Sequence, residues 1–268
     1  MASSARTAPP ATTERENGVT LFERSSRSVR MAPAGSVLLR RARAVLAELE
    51  IACAELAGLA GVVTGRLRLG MIGSATSAAP VVEQALAAFH RGHPGVEITM
   101  ADPGSGLMAE QIRSGAMDLA FVGLFADQVP ADLVHRVLAV EPLVAVVGPD
   151  HPFTGRTVAV DLAELAGFGA FVEMRAESGV RRQVDAAFSR ARVTRTIAFE
   201  LSTSDAVVRF VGLGFGAAVV PRSAVGSRPD VTTLPLRDDL ARHPVSQLHR
   251  APEPSAPSAR ALLELIGR

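Results

Sequence analysis

Residues 18–70 read GVTLFERSSRSVRMAPAGSVLLRRARAVLAELEIACAELAGLAGVVTGRLRLG, and the order of patterns in this stretch decides the fold. A short basic hairpin from Leu21 to Met31 turns near Ser25-Ser26. A long Ala/Leu/Arg helix follows from about Ala34 to Leu59, with Pro33 where a first helical turn tolerates proline. Gly65-Arg66-Leu67-Arg68-Leu69-Gly70 then opens the first strand of an α/β domain.

The helix carries the sharpest periodicity in the chain. Leu38, Ala42, Val45, Leu49, Ala52, Leu56 and Leu59 are spaced alternately four and three apart. That is the seam pattern of one helix packing on another. A face this regular over three heptads favours a partner helix over the chain's own core, and so a homodimer. Arg40, Arg41 and Arg43 occupy the first half and Glu48, Glu50 and Glu55 the second. Antiparallel copies set these opposites side by side, which selects an orientation without driving assembly.

The 268 residues suffice for a small N-terminal element and a two-lobed α/β body. A hydrophobic content of 48% against 21% charged residues belongs to a packed protein rather than a disordered one. Every one of the 28 basic side chains is Arg. Net charge is +1, yet residues 18–43 hold six Arg against the single acid Glu23, leaving the part beyond residue 43 net acidic. A basic end on an acidic body is suited to a polyanion, or is simply a solvated face.

Residues 1–17 show no helical period and contain Pro9-Pro10, so a disordered tail is expected. Beyond Gly65 strands and helices alternate. Strands are expected near 66–72, 95–101, 118–123, 142–148, 168–172, 195–201, 215–220 and 245–250. Helices are expected near 79–91, 105–115, 160–166, 179–190, 204–212 and 257–267. Such alternation predicts mostly parallel sheets covered by helices on both faces, arranged as two lobes around a cleft.

Ligands of parallel α/β sheets bind outside the carboxyl ends of the strands, against helix N-termini. Four such junctions carry small hydroxyl residues: Gly73-Ser74-Ala75-Thr76-Ser77, Pro103-Gly104-Ser105-Gly106, Glu177-Ser178-Gly179 and Ser202-Thr203-Ser204-Asp205. Ordinary capping alone places Ser and Thr at any one of them. Four facing one cleft point to a pocket for an anion, a carboxylate above all. The candidate effector contacts are Ser74, Ala75, Thr76, Ser105, Ser178 and Ser204.

Catalytic and cofactor signals are missing. Gly212-Leu213-Gly214-Phe215-Gly216 lies between a helix and a following strand, the reverse of a dinucleotide fingerprint. The six histidines have no zinc-ligand spacing, and there is no Gly-x-Ser-x-Gly elbow. No catalytic residue, metal or cofactor is expected. The lone Cys53 excludes an internal disulfide and is read as a packed thiol. No apolar run reaches membrane-spanning length and no signal-peptide core is present, so a cytoplasmic location without membrane contact is expected.

Several motifs together resemble LysR-type transcriptional regulators. Leu21-Phe22-Glu23-Arg24, Arg27, Val29 and Ala32-Pro33-Ala34-Gly35 are similar to the wing and linker-helix start of that family. Gly65–Gly70 is similar to the opening of its effector domain. The likeness continues through Phe89 with His93-Pro94, Gly115-Ala116-Met117-Asp118-Leu119-Ala120, Asp150-His151-Pro152-Phe153, and Gly212–Gly216 with Pro221. The resemblance implies a winged helix-turn-helix, a dimerising linker helix and a two-lobed effector domain like periplasmic binding proteins. It also implies a homodimer or homotetramer that binds promoter DNA and answers to a small, often acidic metabolite.

Carried over residue by residue, Ser74, Ala75 and Ser105 match cleft-lining positions. Arg24, Arg27 and Arg30 match the wing, where phosphate or minor-groove contacts are expected. The resemblance divides the chain into a tail 1–17, a wing remnant 18–33, a linker helix 34–62 and an effector domain 63–268. Lobe I takes 66–139 and 244–268, and lobe II takes 140–243. The crossings fall near Val137–Glu141 and after Leu236.

The sequence departs from the family before Gly18, where a recognition helix is expected. Thr13-Glu14-Arg15-Glu16 stands as a remnant of its end. The expectation is a regulator whose DNA binding is weak or lost and whose effector region is intact. The alternative is a cytoplasmic solute-binding or dimerisation protein of the same fold that reads no DNA.

Overall fold

Pro10 occupies the first position of a helix, α1 (Pro10–Asn17), in a computed structural model that describes residues 10–24, 28–59 and 62–267. This corrects the expectation of disorder over 10–17. Proline's missing N–H costs nothing at a helix start, so Pro9-Pro10 marks a beginning rather than a break. The helix is tied down by Glu14, whose Oε1 accepts from the Leu21 and Phe22 N–H groups at 2.6 and 3.1 Å.

The hairpin pairs β1 (Phe22–Arg24) with β2 (Val29–Met31) antiparallel, setting Glu23 opposite Arg30. Its turn, with Ser25, Ser26 and Arg27, lies outside the described residues. Leu21 and Ala32 are buried beneath it, and the Ala32 N–H donates to the Leu21 carbonyl at 2.9 Å. A Cβ on Gly35 would lie 2.2 Å from that carbonyl, so only glycine lets the next helix approach the hairpin this closely.

That helix, α2 (Pro33–Leu59), is about 40 Å long at 1.5 Å per residue. Among the described side chains of its second half, Ile51 and Ala54 are the buried ones, set against the body. Leu38, Val45, Leu49 and Leu56 are 42–69% exposed, and Ala42 and Ala52 lie beside them on the open face. The seam is therefore not consumed by the chain's own core. Cys53 is exposed, which corrects the packed-thiol reading: Ile51 and Ala54 take the inward face, and position 53 points away from both. The acids of the helix's second half also have partners within the chain. Glu48, Glu50 and Glu55 approach Arg250, Arg66 and Arg260 of the same chain at 3.6, 3.6 and 3.4 Å.

Lobe I is built on parallel strands β3 (Gly65–Met71), β4 (Val96–Ala101) and β5 (Leu119–Val122). Helices α3 (Ser74–Ala78), α4 (Pro80–Gly92), α5 (Ser105–Ser114) and α9 (Pro257–Ile266) cover it. The Gly115–Ala120 motif has a local explanation. Gly115 closes α5 in the left-handed conformation at φ 73°. Asp118 is clamped by Arg68, its Oδ1 accepting from Nη2 at 2.6 Å and its Oδ2 from Nε at 3.1 Å.

Two long strands join the lobes. Strand β6 (Leu133–Val147) pairs antiparallel through its residues 133–142 with the whole of strand β11 (Arg242–Arg250). The sheet order is β10-β6-β11-β5-β3-β4, where β10 is Thr232–Pro235, and β9 (Ala218–Pro221) also pairs with β6. The sheet is thus mixed rather than mostly parallel. The sequence reading missed residues 133–141 of β6, which are mostly half-exposed and whose short apolar run Val137–Val140 is flanked by His135-Arg136 and Glu141. It also missed β10, four residues at an edge.

Lobe II adds parallel strands β7 (Phe171–Met174) and β8 (Ile197–Leu201) with helices α6 (Leu162–Ala166), α7 (Gly179–Ala191) and α8 (Ser204–Gly212). Residues 143–147 are all buried, as a strand covered on both faces must be. The apolar core passes from lobe I side chains at Ala139 and Val245 to lobe II side chains at Leu143 and Ala241. Both crossings therefore run through the paired strands β6 and β11.

Candidate functional site

The amino ends of α5, α7 and α8 converge on a cavity of about 290 Å³ between the lobes. Lobe I contributes Ser74, Asp102 and Ser105. Lobe II contributes Arg175, Ser178 and Ser204. His243, at the start of β11, lines it from the crossing.

Of the six candidate effector contacts, Ser74, Ser105, Ser178 and Ser204 line this cavity. Ala75 does not: it is fully buried in the lobe I core, because one residue along a helix from Ser74 rotates the side chain about 100° inward. The Thr76 side chain lies outside the described residues.

The geometry separates capping from other roles. Thr203 caps α8, accepting from the Ala206 N–H at 3.2 Å. Ser178 makes no cap bond, although it holds the N-cap position of α7. Ser105 accepts from the Gly123 N–H at 3.1 Å. Ser74 Oγ lies 2.9 Å from His243 Nε2. Each of the four cleft junctions therefore holds a hydroxyl that capping does not use, Ser204 at the fourth donating instead to Met174 Sδ at 3.7 Å.

The protons of this network follow from one carbonyl. The Gly123 oxygen can only accept, so it must face the amide nitrogen of Gln183, at 3.0 Å. The Gln183 Oε1 is then the atom 3.0 Å from His243 Nδ1, and His243 donates there. His243 is 1% exposed, and burial lowers its pKa to about 4, so the ring is neutral at pH 7. Nε2 is left as a bare acceptor and the Ser74 hydroxyl donates to it. Ser74 and Gly123 belong to lobe I and Gln183 to lobe II, so the chain of bonds spans the cleft. A second bridge has the same span: Ser77 Oγ donates to Ser223 Oγ at 3.2 Å, and Ser223 donates to Glu141 at 2.8 Å.

Ser74, His243 and Gln183 have the outline of a nucleophile, base and orienting group. The chemistry does not follow. A neutral amide cannot stabilise an imidazolium as a carboxylate does, and an imidazole held near 4 is a poor base at neutral pH.

Charge in the cavity is divided. Desolvation against the cleft walls raises the Asp102 carboxyl above the usual aspartate value, partly offset by the Gly104 N–H and by Arg175. Arg175 has no ion pair among the described residues and stands at the mouth. His243, Gln183, Asp102 and Arg175 were missed by sequence reasoning. Asp102-Pro103 at the end of β4 was the one readable signal, a strand end opening into a candidate junction. At the other end of the molecule Arg30 is exposed on the hairpin, the Arg24 side chain and all of Arg27 lie outside the described residues, and nothing further is fixed for the wing.

Comparison with known proteins places this architecture. The family model for the LysR substrate binding domain matches residues 60–268. An HTH-type transcriptional regulator of Bacillus subtilis, YybE, is 27% identical over 208 residues, 78% of this chain and 69% of that protein. Full-length OxyR from Pseudomonas aeruginosa superposes with a TM-score of 0.66 at 23% identity, covering 96% of this chain and 82% of that one. The effector binding domain of QuiR, solved with shikimate, superposes with a TM-score of 0.65 at 19% identity, covering 76% and 95%. The matched relatives are regulators rather than enzymes, as expected from the sequence. With a two-lobed body, a central cleft and a family match over most of its length, the chain belongs to the LysR-type transcriptional regulators.

Proposed function

We propose that this regulator binds a small carboxylate in the interlobe cleft and passes the signal through a homodimer built on α2. The observation that carries the reading is the set of cleft hydroxyls at helix starts that are not used as caps, gathered around a 290 Å³ cavity with Arg175 at its mouth. First-turn N–H groups of α7 and α8 and a free guanidinium suit an anion. The shikimate bound by QuiR is an acid, which agrees with this chemistry without identifying the ligand here. Binding shifts the balance between lobe arrangements, because the cleft network joins both lobes.

The remaining assignments follow from the same reading. Leu38, Ala42, Val45, Leu49, Ala52 and Leu56 form the contact between protomers, as a dimer or as half of a tetramer. Arg24, Arg27 and Arg30 touch DNA phosphate, which positions without reading sequence. The protein works in the cytoplasm. Among the described residues no helix is long and apolar enough to cross a membrane.

Thermal-shift screening against small carboxylates tests the first half, with a saturable rise in melting temperature expected for at least one acid. A Ser178→Ala or Arg175→Ala variant that kept that rise in full removes the residue from the pocket. Gel-shift titration with promoter DNA tests the second half, with weak binding expected that falls steeply as salt rises. Nanomolar binding that resists competitor DNA contradicts it.

A further inference from the structure

The charges around the cavity do not suit an anion alone. Three carboxylates line it, Asp102 from lobe I and Glu177 and Asp205 from lobe II, against the single guanidinium of Arg175. His243 adds nothing, since its buried ring is neutral at pH 7. Asp205 is paired with Arg228 at 3.3 Å. Asp102, Glu177 and Arg175 have no ion pair among the described residues. A simple carboxylate entering here meets one cation and two uncompensated like charges. A ligand that carries both signs meets a partner for each.

Asp102 and Arg175 face the cavity from adjoining loops. Asp102 lies where β4 opens into α5, and Arg175 where β7 opens towards α7. Gly104, two residues beyond Asp102, has a φ of 95°, and a Cβ on it would lie 3.3 Å from the carbonyl oxygen of Glu177, two residues beyond Arg175. Asp102 Oδ1 accepts from the Gly104 N–H at 3.2 Å, which holds the carboxylate on the wall and leaves it further acceptor capacity. The Arg175 charge acts on the Asp102 carboxyl without pairing with it, so two opposite charges stand on opposite lobes with a gap between them. Desolvation disfavours the ionised form of Asp102, and a cation in that gap restores it.

We propose that the cleft recognises an amino acid as its zwitterion, the ammonium against Asp102 of lobe I and the carboxylate against Arg175 and the first-turn N–H groups of α7 in lobe II. This rests on the carboxylate reading above and adds the second charge. Each lobe then holds one end of the ligand, so a single small molecule contacts both and favours the lobe arrangement in which both contacts are made. Specificity follows from the pair, because a ligand lacking either charge leaves one side chain of the cleft desolvated and unmatched.

The test is calorimetric titration of the unaltered protein with matched sets of probes, each an amino acid, its deaminated acid and its decarboxylated amine: L-alanine, propionate and ethylamine; L-serine, 3-hydroxypropionate and ethanolamine; L-leucine, 4-methylpentanoate and 3-methylbutylamine; L-phenylalanine, 3-phenylpropionate and phenethylamine. In at least one set the amino acid is expected to bind roughly ten-fold or more tighter than both companions. Asp102→Asn keeps an acceptor for the Gly104 N–H and loses the charge, so it should erase the advantage over the deaminated acid. Arg175→Gln should erase the advantage over the amine. Since the comparison of probes needs no variant, misfolding of either one leaves it decisive. A folded Asp102→Asn protein that keeps the full preference overturns the ammonium assignment. A deaminated acid that binds as tightly as its amino acid in every set overturns the zwitterion and leaves the carboxylate reading standing. Amines that bind as tightly as their amino acids overturn both, and so does silence of every probe.

Discussion

His243 Nδ1 donates to Gln183 Oε1 across 3.0 Å, joining the strand that crosses between the lobes to the first turns of the lobe II helix α7. The ring is buried and neutral, with its pKa lowered to about 4 by desolvation, while in the unfolded chain it titrates at 6.5. The unfolded state therefore takes up a proton first as pH falls. Stability contributed by the neutral ring is fully present above pH 6.5 and is lost between 6.5 and 4. The loss between pH 7 and pH 5 is on the order of 2 kcal/mol at 1.36 kcal/mol per pKa unit. Urea denaturation at the two pH values reads it directly. A His243→Gln variant should lose that part of the slope, whereas the shallower contribution of His151, whose pKa burial also lowers, should remain. An unchanged slope in the variant removes His243 from the account.

Gly123 makes the network possible, and Gly73 provides the contrast. A Cβ at Gly123 meets the His243 ring at 2.5 Å, and the ring is held on both nitrogens and cannot swing aside. Gly123→Ala should cost about 1–3 kcal/mol by overpacking and weaken ligand-induced stabilisation in parallel. A Cβ at Gly73, also in the cleft wall, meets nothing within 4 Å, and its φ of −58° suits any residue. Gly73→Ala should be close to neutral in the same melt. Equal losses in the two variants contradict the close-approach argument.

The elements were legible where periodicity was strong. The amphipathic α4, α5, α7 and α8, the alternation of β3 and the apolar run of β5 could be read directly. Residues 133–141 could not, because that half of β6 is stabilised by pairing with β11, over 100 residues away, rather than by its own pattern. The site was legible on the same terms. Ser74, Ser105, Ser178 and Ser204 were marked by helix starts. His243 and Gln183 sit mid-pattern on a strand and a helix, and only the crossing of β11 against α7 gives them a shared role. Ala75 failed for a local reason, since the junction signal covers a whole turn of helix and only one face of that turn meets the cleft.

Leu49 is 61% exposed at the centre of the α2 seam. Two such faces together bury apolar surface worth roughly 25 cal/mol per Å². Sedimentation should show a dimer, and Leu49→Glu should give a monomer with an unchanged urea midpoint per protomer for the body. A variant that remains dimeric moves the contact off this face.

The attachment of α2 to the body divides into an apolar and an ionic part of very different weight. Glu48, Glu50 and Glu55 reach Arg250, Arg66 and Arg260 at 3.4–3.6 Å, with carboxylates 52–63% exposed. Exposed pairs at such distances are worth about 0–1 kcal/mol each and are screened by salt. Ile51 is 8% exposed and belongs to the lobe I core that also holds Leu67 and Val96. Burying a carboxylate there forces the helix away rather than tolerating the charge. The triple Glu→Gln change should therefore lower stability by less than about 2 kcal/mol, with the difference vanishing in 0.5 M salt. Ile51→Asp should cost more than the three together, independently of salt, and should accelerate amide exchange through 48–56. If the triple variant proves the more damaging at high salt, the helix is held by charge and the apolar anchor is misassigned.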